Sequence, residues 1–359
     1  MNVLILTGKF GMGHLSVAEA LYEDIEATYK NVNVEIVDIV NYMFPTMNKT
    51  IYESFDFIAS KCSSIYNIYC SFSNKKSSVP MKHMVSKKIE KLIEETSADL
   101  VLSTVPLASQ FVSVYKKKTG SNIPLYTYIT DVTIHEEWIS PYTDFYFVGA
   151  KDTKKDLVLK GVNPYKVVVS GIPVKRCFKN EESLKKKLND KLEILIMGGG
   201  LGLLPSGDTL LKKLSENENV HLTVITGKNE KLKNDIEEKF SNIDVVGYTK
   251  NVHDFMKKAD LLITKSGGIT TFEAINSQIP LFVIKPFLKQ EVGNAQFIES
   301  ENLGRVIWYD DSDIAKDILA LAENSKIMES IKQNMRKMAE QWSQSCPLDI
   351  YNMEGGITC

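Results

Sequence analysis

The chain has 359 residues, 43% of them hydrophobic and 25% charged, which is the make-up of a globular protein with more length than a single core usually holds. Its formal net charge of −2 gives no overall attraction to nucleic acid. No stretch approaches the roughly 18 uninterrupted apolar residues of a spanning helix, and the apolar run Val3–Leu6 is too short for a signal segment, so the expected location is cytoplasmic.

From the amino terminus, the apolar runs Val3–Leu6, Val34–Val37, Leu100–Leu102, Leu125–Ile129 and Phe145–Val148 read as buried strands. Amphipathic stretches at about Leu15–Tyr29, Met81–Glu95 and Asp152–Leu159 read as the helices between them. This βα alternation predicts a parallel sheet with helices on both faces and ligands at the carboxyl ends of the strands. His14, Ser103 and Asp131 fall at or just beyond such ends. In Gly11-Met12-Gly13-His14 the glycines permit a sharp turn after the first strand, and the imidazole lands at a helix start that should lower its pKa and keep it a neutral base. Asp131 is either a rival base or the partner that orients His14, and His135 is placed to bind an acceptor hydroxyl or a phosphate.

Between these elements, residues 61–91 carry seven lysines against the single acid Glu90, with Tyr66, Tyr69 and Phe72 interleaved. Such a segment suits an anionic membrane surface, each lysine contributing roughly 1 kcal/mol when close to it; a solvated helix face with a lysine-rich loop is the plainer reading.

After Gly171-Ile172-Pro173 and the charged stretch Lys179–Lys191 the pattern restarts, with strands at Glu193–Met197, Leu222–Ile225, Ile243–Val246, Leu261–Ile263 and Leu281–Ile284, and a last helical pattern from about Asp313 to Trp342. The predicted fold class is therefore α/β, two Rossmann-like domains facing across a cleft. The glycines of Met197–Gly202, Gly199 and Gly200 among them, let backbone amides approach a diphosphate, and Tyr248 is an aromatic suited to stack on a base.

Residues 261–294 are the most specific stretch. A strand leads into Ser266-Gly267-Gly268 and then a helix over Thr270–Ser277, whose first amides attract phosphate. Glu273 is set to accept hydrogen bonds from two ribose hydroxyls, and Gln290 and Asn294, four apart on the next helix, offer neutral amides to sugar hydroxyls. Singly, each feature has an ordinary structural reading as a turn, a cap or a polar helix face. Their order points to a sugar-nucleotide site. Asp311-Ser312-Asp313 precedes a helix, where acids cap, so no metal site is expected there. The five cysteines are scattered and lack metal-ligand spacing, which predicts free thiols and no structural metal.

The stretch 261–294 resembles the donor-binding signature of the UDP-sugar glycosyltransferases that include the monogalactosyldiacylglycerol synthases, the processive diacylglycerol glucosyltransferases and the lipid II-forming N-acetylglucosaminyltransferase. Gly11–His14 is similar to that family's G-x-G-H loop, Thr130-Asp131 with His135 and Trp138 to its T-D-x-x-x-H-x-x-W segment, and Gly171-Ile172-Pro173 to its interdomain G-I-P. Met197–Gly202 resembles the glycine-rich loop of the second domain, and Gly247-Tyr248 the aromatic beside the uracil. The T-D-x-x-x-H segment points to the diacylglycerol branch.

The resemblance implies a GT-B fold of glycosyltransferase family 28: an N-terminal acceptor-binding and membrane-facing domain over 1–172, a C-terminal UDP-sugar-binding domain over 173–325, a helix over 326–345 packing back on the first domain, and a tail over 346–359. It implies an inverting hexosyltransferase without cofactor or metal, moving a hexose from a UDP-hexose to diacylglycerol or a similar lipid on the inner face of the cell membrane. His14 and Asp131 are then catalytic, Gly13 and His135 bind the acceptor, and Gly199, Gly200, Tyr248, Ser266, Gly267, Gly268, Thr270, Glu273, Gln290 and Asn294 bind the donor. A soluble or peptide acceptor, a sugar-nucleotide epimerase and a catalytically silent UDP-sugar-binding regulator share most of these residues.

Overall fold

A computed structural model describes residues 1–10, 13–61, 82–179, 191–199, 202, 207–286, 288–309, 313–342 and 346–353, with the side chains of 55–61 excepted. The described chain divides into two compact units, Met1–Arg176 with Gln341–Cys359, and Cys177–Glu340.

The strands of the first unit are β1 (Asn2–Thr7), β2 (Asn33–Asp38), β3 (Leu100–Ser103), β4 (Leu125–Tyr128), β5 (Phe145–Val148) and β6 (Val167–Val169). Those of the second are β7 (Leu192–Met197), β8 (Val220–Gly227), β9 (Ile243–Gly247), β10 (Leu261–Thr264), β11 (Leu281–Ile284) and β12 (Gly304–Ile307). Each set forms a six-stranded sheet in which every pairing is parallel, ordered β2-β1-β3-β4-β5-β6 and β12-β11-β10-β7-β8-β9. Strands covered on both faces must be apolar throughout rather than alternating. Val3, Leu4, Ile5 and Leu6 are all buried, as are Leu261, Leu262 and Ile263.

Chain order reverses between β1 and β3 in the first sheet and between β7 and β10 in the second. In open α/β sheets the crevice for ligands lies outside the carboxyl ends of the strands at such a reversal. His14 follows β1 and Thr104 follows β3; Gly199 follows β7 and Ser266 follows β10.

Three elements differ from the sequence-based expectation. The strands β6 and β12 are additional, and in β12 Gly304 and Arg305 leave only Val306 and Ile307 as an apolar pair. In β12, Gly304 lies against the partner strand so closely that a Cβ there would sit 2.0 Å from the Leu281 carbonyl oxygen. The long carboxyl-terminal helical pattern is two helices, Ile314–Ala322 and Ser325–Trp342. Asn324 divides them, its Oδ1 accepting from Ile327 N at 3.1 Å, a local cap that competes with a continuous helix.

The end of the second of these helices belongs to the first unit, where Trp342 lies on Gly171. Gly171 has φ +70, and a Cβ there would fall 2.4 Å from the indole. A short helix, Pro347–Met353, then buries Leu348, and Tyr29 donates a hydrogen bond to Asp349. Gly161 has φ +93 and open space around it. Gly161→Ala should therefore lose only about 1–2 kcal/mol from left-handed strain, whereas Gly171→Ala should lose a further ~1–3 kcal/mol from overpacking against Trp342. Chemical denaturation of the two variants checks this; equal losses would mean that Trp342 yields without cost.

Candidate active site

The site of the first unit is built from the turn after β1. The helix Gly13–Thr28 begins with His14 in its first turn, earlier than the sequence pattern suggests, while Gly11 and Met12 lie outside the described residues. Thr104, at the end of β3, ties the turn down. Its hydroxyl donates to the His14 carbonyl at 3.0 Å and lies 2.8 Å from the Thr7 hydroxyl. From beyond β4, Thr130 Oγ1 lies 3.0 Å from His14 Nδ1, and the buried Trp138 ring stands 6.1 Å from the imidazole.

Burial pushes the His14 imidazole down from the usual 6.5 to about 4, opposed by a backbone hydrogen bond at Thr104. The direction is the expected one, but its cause is desolvation rather than the helix amino terminus. Thr130 is therefore an imidazole partner, not the helix cap that Thr-Asp after a strand more often signals. Asp131 follows it in a bend, half-buried, and His135 opens the short 3-10 helix Glu136–Trp138.

The second unit's site forms where β7 and β10 lie side by side, with Met197 opposite Thr264. Gly199 leaves β7 with φ +72 and Gly202 turns back with φ +64, where any Cβ would meet the Thr226 carbonyl oxygen at 1.9 Å; Gly200 lies outside the described residues. After β10, Gly267 precedes the helix Gly268–Asn276 and has no side chain with which to close the helix's first amides, which leaves them for a ligand. The helix starts earlier than the expected Thr270, placing Thr270 in its first turn and the half-buried Glu273 on its second.

Ser266 and Asn294, expected to touch a donor directly, are both fully buried and hold the turn. Ser266 Oγ donates to the Glu291 carbonyl at 2.7 Å, and Asn294 Nδ2 donates to the Ser266 carbonyl at 2.9 Å. These two bonds fasten the glycine turn to the helix Lys289–Ser300, which carries the half-buried Gln290. Tyr248, after β9, is 46% exposed, with Lys228 Nζ 5.7 Å from its ring centre.

Asp311 and Ser312 lie outside the described residues. Asp313 caps the helix Ile314–Ala322 and pairs with Lys213 at 2.9 Å. Among the described residues, no group of three or more His, Cys, Asp or Glu is placed to hold a metal. Residues 62–81 of the lysine-rich segment, Tyr66, Tyr69 and Phe72 among them, lie outside the described residues.

Two Rossmann-like units with these strand orders, each with a ligand-ready turn at its point of reversal, have the topology of the GT-B fold. A MurG structure from Acinetobacter baumannii shares the fold with TM-score 0.65, at 13% identity and with 98% of each chain covered. Residues 14–174 match the family model for monogalactosyldiacylglycerol (MGDG) synthase, and residues 193–345 that for the glycosyltransferase family 28 C-terminal domain. The chain is 30% identical to the processive diacylglycerol beta-glucosyltransferase of Bacillus licheniformis, over 94% of this chain and 91% of that one. It is likewise 30% identical to the protein of that name from Bacillus pumilus, over 99% and 96%. The chain belongs to the monogalactosyldiacylglycerol synthase and processive diacylglycerol glucosyltransferase family of glycosyltransferase family 28.

The His14 pKa makes a direct prediction. In an NMR titration of the five histidines, with the His14 signal assigned by its loss in His14→Gln, that signal should titrate near pH 4. Because the unfolded chain takes up this proton first, His14 should also lower stability as pH falls from about 6.5 to about 4, with its full contribution present above 6.5. A His14 midpoint near 6.5 would contradict the desolvated site.

Proposed function

We propose that this protein moves a hexose from a UDP-hexose to the hydroxyl of diacylglycerol or a similar lipid, with inversion and without a metal, as a peripheral protein on the inner face of the cell membrane. The observation that carries the chemistry is His14, a desolvated and neutral imidazole oriented through Nδ1 at the strand reversal of its sheet. With Nδ1 protonated and donating to Thr130, Nε2 keeps its lone pair for the acceptor hydroxyl. His14 removes that proton as the hydroxyl oxygen attacks the hexose C1. The bond between C1 and the diphosphate oxygen breaks, and UDP leaves with the electron pair. Asp131 assists His14, while Gly13 and His135 bind the acceptor.

The donor fits the turns of the second unit. Amides at Gly199, Gly200 and the start of the helix Gly268–Asn276 receive the diphosphate, Glu273 the ribose hydroxyls, Tyr248 the uracil and Gln290 the hexose. Ser266 and Asn294 act through the turn they fasten. Two relatives with 30% identity bear the name processive diacylglycerol beta-glucosyltransferase, which supports the lipid acceptor.

Support for the membrane surface comes from the described end of the lysine-rich segment. Lys82, Lys87 and Lys91 are exposed on the helix Lys82–Thr96, and Lys117 and Lys118 at the end of the neighbouring helix Pro106–Thr119. Lys118 touches His83, which brings the lysine-bearing end of the second helix beside Lys82 at the start of the first. Interfacial lysines at such a surface are attracted by anionic lipid.

The test is incubation with radiolabelled UDP-glucose or UDP-galactose, each with and without diacylglycerol in anionic liposomes. Label should pass into lipid from one of the two donors and only when liposomes are present. UDP release with no lipid label would contradict the proposal and favour a soluble acceptor or an epimerase-like reaction; donor binding without turnover would favour a regulator.

A further inference from the structure

Backbone amides alone are a modest counterweight to a diphosphate that gains charge as it leaves, and a cation beside them would carry more of that charge. Lys265 stands at the required place. It is the residue between the end of β10 and Ser266, at the strand reversal of the second sheet. Its Cε lies 3.5 Å from where a Cβ on Gly199 would be, so the side chain passes over the glycine turn that follows β7. The side chain of Lys265 is 33% exposed.

What holds Lys265 there is Glu291, whose Oε1 lies 3.4 Å from the ammonium while its side chain is only 4% exposed. Glu291 Oε2 also accepts from Leu288 N at 3.4 Å, at the start of the helix that carries Gln290. A carboxylate so deeply buried needs a positive partner, which gives Lys265 a structural reason to exist. That reason alone does not call for a partly open ammonium above Gly199. An ammonium carries three donors, so one carboxylate oxygen does not exhaust it.

We propose that Lys265 is the cation of the donor diphosphate subsite, held over the Gly199 turn by Glu291 and contacting the phosphates of the nucleotide. This rests on the donor reading above and adds a charged contact to it. Through Glu291 the same contact bears on the helix of Gln290, so the diphosphate and the hexose contact are held by one ion pair.

The experiment measures UDP affinity by calorimetry and uridine binding by saturation-transfer NMR, for the full chain, for Lys265→Met, for Lys265→Arg and for the double variant Lys265→Met/Glu291→Gln. Lys265→Met should weaken UDP binding about ten- to hundred-fold with uridine binding unchanged. Lys265→Arg should restore part of the loss. The double variant removes the uncompensated buried carboxylate, and its UDP affinity should remain low. Recovery of UDP affinity in the double variant, or an equal loss for uridine, would show that Lys265 serves only Glu291 and would overturn the inference. A wild-type protein that binds UDP no better than uridine would instead overturn the donor reading itself.

Discussion

Everything at the two candidate sites follows from the direction of the strands. In a sheet with only parallel pairings, each strand must be left by a turn at the same edge, and each return must cross over a face through a helix. Residues far apart in sequence are thereby delivered to one edge: His14, Thr104 and Thr130 in the first unit, Gly199 and Lys265 in the second. At the reversal of strand order the two crossing helices leave to opposite faces, so the turns there are not covered by a neighbouring connection. That one constraint selects the β1/β3 and β7/β10 positions out of twelve strand ends.

Parallel strands deliver the residues, but hydroxyl and amide bonds fix how they point. In the first unit Thr7, Thr104 and Thr130 are all buried and converge on His14. A second chain of buried hydroxyls runs from Ser103 through Ser109 to Thr127 behind it. In the second unit Ser266, Glu291 and Asn294 perform the same service around the glycine turn. Buried polar groups are costly unless satisfied, and such networks stiffen the backbone they join. Stiff turns suit a transferase, whose donors have to be in place before charge develops. Desolvation of His14 keeps its imidazole neutral, with a ring nitrogen lone pair free, at the cost of base strength.

Most of the fold was legible in the sequence because buried parallel strands are uninterrupted apolar runs, and runs such as Val3–Leu6 and Leu281–Ile284 are unambiguous. The edge strands β6 and β12 were not, and in β12 Gly304 and Arg305 break the apolar run. Glycine turns and the polar residues after them signalled both candidate sites. The signal failed where a side chain's partner lies far away in sequence. Nothing local to Ser266 or Asn294 announces that they bond across 25 and 28 residues, and nothing local to Thr130 announces His14. Lys265 is not marked out by the sequence, where a lysine before a serine and two glycines looks like a solvated turn residue; the buried Glu291 that gives it meaning is seen only in three dimensions. The position after β10, at the sheet's strand reversal, was the available clue.

A single displacement at the hexose C1 with His14 as the base inverts that carbon, so the stereochemistry of the product is the decisive observation. The glycolipid made from the α-linked UDP-hexose identified as donor would be examined by proton NMR for its anomeric coupling. A β-glycoside is expected, seen as a large axial–axial coupling between H1 and H2. An α-glycoside would contradict it, because retention requires a covalent intermediate or a same-face attack in which an imidazole base at the acceptor has no comparable role.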